Sequence, residues 1–169
     1  MQRVAVVGSG GAGKTTFAIA CSAVTGLPVV HLDEHFWHPG WVESRQEEWR
    51  DHQAELLTGD KWIVDGNYGN TLDLRLSLVD TIIWLDFSRY VCLLGAVRRT
   101  LFNLGRPMQA VGCPERFDRE FLEWVWKFPK ESRPKLVDAI ERYRRGVDVL
   151  RFHSRRETRE FLRSLQNLS

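Results

Sequence analysis

The chain has 169 residues, 43% of them apolar, which is enough for one well-formed core and too short for two ordinary domains. Three cysteines at unpaired spacings argue against a disulfide framework or a zinc site, and no apolar stretch reaches the ~20 residues that cross a bilayer. The formal charge of +2 neither requires nor excludes a polyanionic partner, so we predict one domain over residues 1–169 of a cytoplasmic protein without membrane contacts.

Short apolar runs that end in glycine or aspartate alternate with stretches of helical periodicity along the chain. The runs predict strands at residues 3–7, 29–32, 62–64, 81–85 and 147–152. The periodic stretches predict helices at residues 14–24, 45–58, 89–104, 119–128 and 135–145, and a terminal helix after residue 154. Ser44, Ser88 and Ser154 are expected to cap the helices that follow them. This alternation predicts the α/β class, with a five-stranded parallel sheet covered by helices on both faces.

The first predicted strand and helix flank a glycine-rich segment that matches the phosphate-binding pattern G-x-x-x-x-G-K-[ST] without a mismatch. Glycines let such a loop curl so that its backbone N–H groups face one anion, and the helix N-terminus adds its dipole. We expect Lys14 to contact the outer phosphates of a nucleotide and Thr15 to ligate Mg²⁺. The nucleotide-binding residues predicted here are Gly8, Ser9, Gly10, Gly11, Ala12, Gly13, Lys14, Thr15 and Thr16.

Three carboxylates follow predicted strands and are candidates for supporting the metal: Asp33, Asp65 and Asp86. In α/β sheets, ligands bind outside the carboxyl ends of the strands, so all three lie at the correct edge. We favour Asp65, because the Gly66-Asn67-Tyr68-Gly69 segment after it allows the backbone to approach a ligand closely. Asp86 leads into a helix cap and is interpreted as a structural carboxylate.

The phosphate-binding loop, residues 62–66 and 79–86, and the arginine-bearing helix after them resemble adenylate kinase and related small-molecule kinases. Further segments are similar to the bacterial family of DNA topology modulation proteins, which is itself adenylate-kinase-like, and the similarity covers nearly the whole chain. Those segments are His31-Leu32-Asp33, Pro39-Gly40-Trp41, Asp65-Gly66-Asn67-Tyr68 and residues 112–118.

The resemblance implies a P-loop kinase domain that binds ATP, with Mg²⁺ supported by Asp65 and an arginine reaching the phosphates, which is Arg99 by its position. Adenylate kinases place a second arginine near the adenine, where this chain has Gly95. Arg98 is a candidate substitute, although neighbouring helix residues point about 100° apart. The resemblance also implies a mobile lid within residues 104–130, with Arg106 and Arg116 as its charged contacts.

The acceptor of the phosphate stays open at this stage. A nucleoside monophosphate would need cations to offset charge repulsion, for which Arg75, Arg98, Arg99, Arg106 and Arg116 are available. A hydroxyl acceptor would need a carboxylate to take its proton, and Asp33 is placed for that role.

The candidate catalytic residues are Lys14, Asp33, Asp65 and Arg99. The candidates for the acceptor site are Asp33, His35, Trp37, Asn67, Tyr68, Arg75 and Arg116. Trp37, Trp41 and Tyr68 are candidates for an aromatic wall around a base or ring, with packing in the core as the alternative. His35 is interpreted as a polar pocket edge or a surface residue.

The competing hypothesis is a nucleotide-binding regulatory protein associated with DNA topology. Residues 127–169 contain twelve Lys and Arg against six Asp and Glu, which we interpret as a solvated helix face. The sequence has no helix-turn-helix, zinc-finger or RNA-binding signature, so a nucleic-acid partner is not favoured. The predicted partners are therefore ATP and a small-molecule acceptor, bound by a monomer or a homodimer.

Overall fold

The computed structural model describes residues 1–107 and 110–167. In chain order, the strands are β1 (Arg3–Gly8), β2 (Val29–His31), β3 (Trp37–His38), β4 (Val42–Glu43), β5 (Trp62–Asp65), β6 (Thr81–Leu85) and β7 (Asp148–Phe152). The helices are α1 (Lys14–Thr25), α2 (Leu32–Phe36), α3 (Gln46–Leu56), α4 (Leu72–Leu76), α5 (Arg89–Asn103), α6 (Arg119–Glu131), α7 (Arg133–Tyr143) and α8 (Arg155–Gln166). A 3₁₀ turn, Gly69–Thr71, precedes α4.

Five of the strands form one parallel sheet in the order β2-β5-β1-β6-β7, which confirms the predicted α/β class. Every residue of β5 and β6, the two strands beside β1, is buried. Interior parallel strands are covered on both faces, which explains why their sequences are continuously apolar. Because β1 is central, the loop that follows it lies at the middle of the carboxyl edge of the sheet.

The side chains of β1 alternate between two cores, one on each face of the sheet. Val4 and Val6 pack into a core completed by α1, α5, α6 and α8. Ala5 and Val7 pack into the other core, which α3, α4, α6 and α7 complete. Helices therefore cover both faces, as predicted. Within the described residues, no helix has the length and apolar character that crossing a bilayer requires.

The segment after β2 differs from the prediction. β2 ends at His31, because Leu32 already begins the short helix α2. The predicted cap at Ser44 is wrong: Arg45 precedes α3, and no side chain caps that helix. The Ser44 hydroxyl instead donates to the carbonyl oxygen of Phe36, 2.8 Å away, because Ser44 leaves the β3–β4 hairpin at that point. This hairpin was not predicted, since each of its strands has only two residues.

The two other predicted caps are confirmed. The Ser88 hydroxyl accepts a hydrogen bond from the backbone N–H of Val91 at the start of α5. The Ser154 hydroxyl accepts one from the N–H of Glu157, whose carboxylate in turn accepts from the Ser154 hydroxyl. The helix α4 was not predicted, and α7 begins two residues before its predicted start, with Pro134 in its first turn, where a missing N–H costs little.

Residues 112–116, within the predicted lid, lie against the β3–β4 hairpin. The backbone N–H of Gly40 donates to the carbonyl oxygen of Gly112 at 3.0 Å. The indole N–H of Trp41 donates to the carbonyl oxygen of Pro114 at 3.1 Å. Met108 and Gln109, also within the predicted lid, lie outside the described residues. The hairpin and this segment are thus connected across the carboxyl edge of the sheet, and lid movement stays a prediction.

Candidate active site

The glycine-rich loop between β1 and α1 is held by its backbone conformation and by close packing. Gly11 and Gly13 have φ angles of +71° and +90°, a region that favours glycine. A Cβ atom on Gly11 would also clash with the backbone carbonyl of Cys92 in α5. A Cβ on Gly10 would lie 2.6 Å from the ring of Phe121 in α6. Glycine is therefore favoured at position 13 by the backbone conformation, at position 10 by close neighbours and at position 11 by both.

A cavity of about 740 Å³ runs along this loop. On the β2 and β5 side, its lining includes Asp33 and the aromatic residues near it. On the β6 and β7 side, its lining includes Gly95 of α5 and one face of α8. The predicted site residues that line it are Gly10, Gly11, Ala12, Gly13, Lys14, Thr15, Thr16, Asp33, Trp37, Asp65, Asn67, Tyr68, Arg99 and Arg116.

The Lys14 side chain folds back over the loop. Its Nζ donates to the carbonyl oxygens of Gly8 at 3.1 Å and Ser9 at 3.0 Å, which places both residues beside the ammonium group. Burial lowers the pKa of Lys14, although the carboxylates of Asp33 and Asp65 act in the opposite direction. A poorly hydrated cation favours an anionic partner, so Lys14 is suited to binding phosphate.

Asp65 lies next to Thr15, as the sequence prediction of a shared metal site requires. The Thr15 hydroxyl donates to Asp65 Oδ2 at 2.6 Å, and the Asp65 side chain is only 4% exposed. Within the described residues, no group of three or more His, Cys, Asp or Glu could hold a metal. Mg²⁺ nevertheless needs few protein ligands, because it keeps several waters and takes phosphate oxygens. The oxygen donors of Thr15 and Asp65 fit that requirement.

His31 is a contact of Asp65 that sequence reasoning missed. Its Nδ1 lies 2.7 Å from Asp65 Oδ1, because β2 and β5 pair in parallel with these two residues in register. This hydrogen bond raises the pKa of His31, although burial opposes the increase. The position of both residues at the ends of predicted strands was the available signal, but pairing of these strands could not be read from the sequence.

Asp33 and Tyr68 form a hydrogen-bonded pair at the wall of the cavity. The Tyr68 hydroxyl donates to Asp33 Oδ1 at 2.6 Å. Burial and the nearby Asp33 carboxylate raise the pKa of Tyr68, so the phenol stays protonated and remains a donor. One oxygen of Asp33 is therefore engaged, and the Asp33 side chain as a whole is exposed in the cavity. Such a carboxylate can accept a proton from a bound molecule.

Two tryptophans line the same cavity as this carboxylate. Trp37 and Trp41 both line the cavity, with their ring centroids 5.4 Å apart in an edge-to-face arrangement. Trp41 has a φ of +64°, which is unfavourable for a bulky residue and costs roughly 1–3 kcal/mol. The guanidinium of Arg116 lies 5.3 Å from the Trp41 ring centroid, and Trp41 also bonds to residue 114 as described above. Strain of this kind is typical of ligand sites.

Two predicted arginines reach the cavity and are paired with carboxylates. Arg99 Nε lies 3.0 Å from Glu115 Oε2, and the Glu115 side chain is only 3% exposed. Arg116 Nη2 lies 3.6 Å from Asp118 Oδ2. Glu115 was not among the predicted site residues, and it connects α5 to the loop that precedes α6. The charge of each arginine is thus partly balanced within the protein.

Gly8 and Ser9, whose carbonyls face Lys14, do not line the cavity, and neither do four further predicted site residues. Arg75 is buried behind the site, where it donates to Gln53 Oε1 and to the carbonyl oxygen of Tyr68. The Arg98 guanidinium lies over the Phe102 ring of its own helix, on the outer side of α5. Arg106 is exposed in the loop after α5. His35 packs edge-on against the His52 ring. These four positions give no support for direct ligand contacts.

Residues of α8 line the cavity and were missed by sequence reasoning. They are spaced i, i+3, i+4 and i+7, which is one face of a helix. The signal was present in the sequence, but nothing indicated which helix would meet the glycine-rich loop. The residues are Arg155, Thr158, Arg159 and Leu162.

No family model and no curated protein matches the sequence, so the resemblance to the DNA topology modulation family is not confirmed. Solved structures do match it. Shikimate kinase from Acinetobacter baumannii, in complex with shikimate, is 14% identical with a TM-score of 0.63, over 99% of this chain and 92% of that one. Shikimate kinase from Bacteroides thetaiotaomicron is 16% identical with a TM-score of 0.53, over 99% and 97%.

Deoxyadenosine kinase from M. mycoides, with dCMP and dCDP bound, is 11% identical with a TM-score of 0.53, over 98% of this chain and 99% of that one. Each likeness extends over nearly the full length of both chains. At such low identity they establish the fold and nothing finer: the chain has the α/β fold of P-loop kinases.

Proposed function

We propose that this protein is a kinase that uses ATP and Mg²⁺ to phosphorylate a hydroxyl group of a small molecule. The observation that supports this most directly is that one cavity contains both the phosphate-binding loop with Lys14 and the Asp33 carboxylate. A loop for the donor phosphates and a base for the acceptor are the two parts that phosphoryl transfer to an alcohol requires. The P-loop kinase fold of the chain is consistent with this chemistry.

The loop and its flanking residues form the donor side of the proposed site. Backbone N–H groups of residues 10–15 would bind the triphosphate, and Lys14 would move from the loop carbonyls to the outer phosphates. Thr15 and Asp65 would hold Mg²⁺, which neutralises charge on the transferred phosphate when it is bound. Arg99 lies at the same cavity and would add positive charge there.

Asp33 would act as the general base on the acceptor side. Its Oδ1 is held by the Tyr68 hydroxyl, which leaves Oδ2 to take the proton of the acceptor hydroxyl. The acceptor oxygen would then form a bond to the terminal phosphorus of ATP as the bond from that phosphorus to ADP breaks. Tyr68 would orient the base without losing its own proton, because its pKa is raised.

A hydroxyl acceptor is favoured over a nucleoside monophosphate by the positions of the arginines. Arg75 and Arg98 are outside the cavity lining, and Arg99 and Arg116 already face carboxylates. A phosphate acceptor bound close to Asp33 would be repelled by that carboxylate, and none of these four arginines is free to compensate the repulsion. The walls formed by the tryptophans and Tyr68 suit a flat ring, so the proposed acceptors are ring compounds with a free hydroxyl, nucleosides among them.

An acceptor panel tests the proposal. Purified protein with Mg-ATP is offered nucleosides, nucleoside monophosphates and ring polyols, and ADP release that depends on the acceptor is measured. Lys14→Ala should abolish ATP binding with its circular dichroism unchanged. Asp33→Asn should reduce turnover by about 10²–10⁴-fold while the Kd for ATP stays the same, because only the base is removed.

Glu34→Gln is the matched control, because Glu34 is the exposed neighbour of Asp33 and does not line the cavity. This variant should keep the wild-type rate. Phosphorylation of monophosphates at an equal rate by wild type and Asp33→Asn would overturn the hydroxyl acceptor. Failure of the wild type to bind any purine triphosphate would overturn the kinase itself.

A further inference from the structure

Gly95 marks a place where α5 and the phosphate-binding loop touch through their backbones. A Cβ atom at this position would clash with the carbonyl oxygen of Gly11. The reverse holds at Gly11, where a Cβ would meet the backbone of Cys92 one turn earlier in α5. No side chain can therefore project from position 95 into the cavity, although this part of α5 forms its wall.

The side chain of Arg155 occupies the adjoining space. Its Nη2 would lie 2.8 Å from a Cβ atom on Gly95, so the guanidinium lies directly over the glycine. Arg155 is the first residue of α8 and is exposed in the cavity lining. Within residues 1–107 and 110–167, no hydrogen bond or ion pair holds its guanidinium, whereas the neighbouring Arg156 is paired with Glu160. Arg155 is thus an unpaired planar cation at the edge of the site.

Sheet order places this cation on the side of the loop that is opposite the acceptor site. Asp33 follows β2 at one edge of the sheet, β1 and its loop are central, and α8 follows β7 at the other edge. A nucleotide whose phosphates lie on the central loop and whose terminal phosphate faces Asp33 must extend its base toward α8. The cavity there is walled by Ala20 and Leu162, which are apolar surfaces suited to a flat ring.

We propose that Arg155 is the platform for the nucleobase, with its guanidinium stacked on the face of the purine. This inference rests on the proposed function, since it assigns a binding residue to the base of the same ATP whose phosphates lie on the loop. A guanidinium is flat and weakly hydrated, so it stacks on aromatic rings more effectively than an ammonium group. Arg155 reaches this position from α8 because α5 lies too close to the loop to supply a side chain at residue 95.

Equilibrium binding of two ligands tests this role. Mg-ATP and inorganic tripolyphosphate are titrated against wild type, Arg155→Ala, Arg155→Lys and Arg156→Ala by calorimetry. Arg155→Ala should weaken ATP binding about tenfold and leave tripolyphosphate binding unchanged, because tripolyphosphate has no base. Arg155→Lys should show a smaller loss of ATP affinity than Arg155→Ala, since lysine keeps the positive charge but lacks the planar guanidinium. Arg156→Ala, the paired neighbour, should bind both ligands as the wild type does.

Four results would overturn the role of Arg155 as a platform for the base. Unchanged ATP affinity in Arg155→Ala would show that the base does not rest there. An equal loss for ATP and tripolyphosphate, or full rescue by lysine, would make Arg155 a ligand of phosphate. Wild-type protein that binds neither ligand would end the proposed function as well, which separates that failure from the other three. Circular dichroism of each variant checks that it is folded, which the exposed position of Arg155 favours.

Discussion

Asp65 and Asp86 occupy equivalent places in the sheet and have opposite surroundings. Each ends or follows a buried strand that pairs with β1, one on either side. Asp86 accepts hydrogen bonds from two arginines, Arg133 and Arg151, which lie 47 and 65 positions further along the chain. Among the described residues, Asp65 has side-chain hydrogen-bond contacts with the Thr15 hydroxyl and the His31 ring, and none with an arginine. The position at a strand end thus does not determine what a carboxylate does; its distant partners do.

The two environments have different consequences for a cation. The charge of Asp86 is more than balanced by two guanidinium groups, and both also stack on the ring of Trp84, at 5.3 and 4.4 Å from its centroid. A metal ion would have to displace one of these arginines. At Asp65 a metal ion would join the oxygen donors of Thr15 and Asp65 without displacing an arginine. The comparison predicts a functional loss at one site and a loss of stability at the other.

Asp65→Asn should have the largest effect on activity. The amide keeps the shape of the side chain and removes the charge that would support Mg²⁺, so acceptor-dependent turnover should fall by about 10²–10³-fold. Turnover is measured at saturating ATP over a range of Mg²⁺ concentrations. The thermal unfolding midpoint should change little. A variant that keeps the wild-type rate would remove Asp65 from the metal site.

Asp86→Asn should instead destabilise the fold. Removing the charge of the carboxylate leaves two arginines facing each other, which we expect to lower the free energy of unfolding by about 1–3 kcal/mol. The loss stays within this range because both arginines are partly exposed and can be hydrated. Urea unfolding measures the loss, and the kcat of the folded variant should be unchanged. Glu141→Gln is the matched control, since it removes an exposed ion pair with Arg144 and should leave stability unchanged. If Asp86→Asn kept the wild-type stability and had a reduced kcat, Asp86 would be a functional residue and not a structural one.

The stability difference between wild type and Asp86→Asn should also depend on pH. Burial opposes ionisation of Asp86, but the hydrogen bonds from Arg133 and Arg151 outweigh it, so the pKa of Asp86 is lowered in the folded state. Because this pKa is lowered, ionised Asp86 contributes its full stabilisation at pH values above about 3.9, the pKa of Asp in the unfolded chain. The contribution is lost as the pH falls through the folded pKa. Urea titrations at neutral and acidic pH should show the difference shrinking, whereas a constant difference would point to packing instead.

His31→Asn should have the smallest effect and refine the description of Asp65. His31 positions the carboxylate from the neighbouring strand, so its loss should weaken Mg²⁺ activation by about tenfold. The kcat at saturating Mg²⁺ should stay near the wild-type value, which separates positioning from catalysis. His52→Asn, on the exposed side of α3, should change neither quantity. An equal fall of kcat at every Mg²⁺ concentration would contradict a positioning role.

The prediction from sequence succeeded where the information is local. The glycines of the loop, the caps at Ser88 and Ser154 and the apolar strands depend on residues a few positions apart. The prediction failed at Ser44, which has the sequence signature of a helix cap. The β3–β4 hairpin brings Ser44 back to Phe36, and the Ser44 hydroxyl bonds to the Phe36 carbonyl oxygen instead. Arg75 was weighed as a ligand of phosphate because it is charged, yet it is buried beside Gln53. A charge pattern does not reveal which side of a helix faces the core.

The sequence by itself determined the five strands of the parallel sheet, the six long helices, the glycine-rich loop and the residue types at the carboxyl edge, because periodicity and backbone conformation act over short distances. Only the tertiary structure decided that His31 meets Asp65, that Asp86 is enclosed by arginines and that Arg155 covers Gly95. Those contacts join residues 34, 47 and 60 positions apart. They follow from how strands pair and helices pack over the whole sheet, which no local pattern specifies.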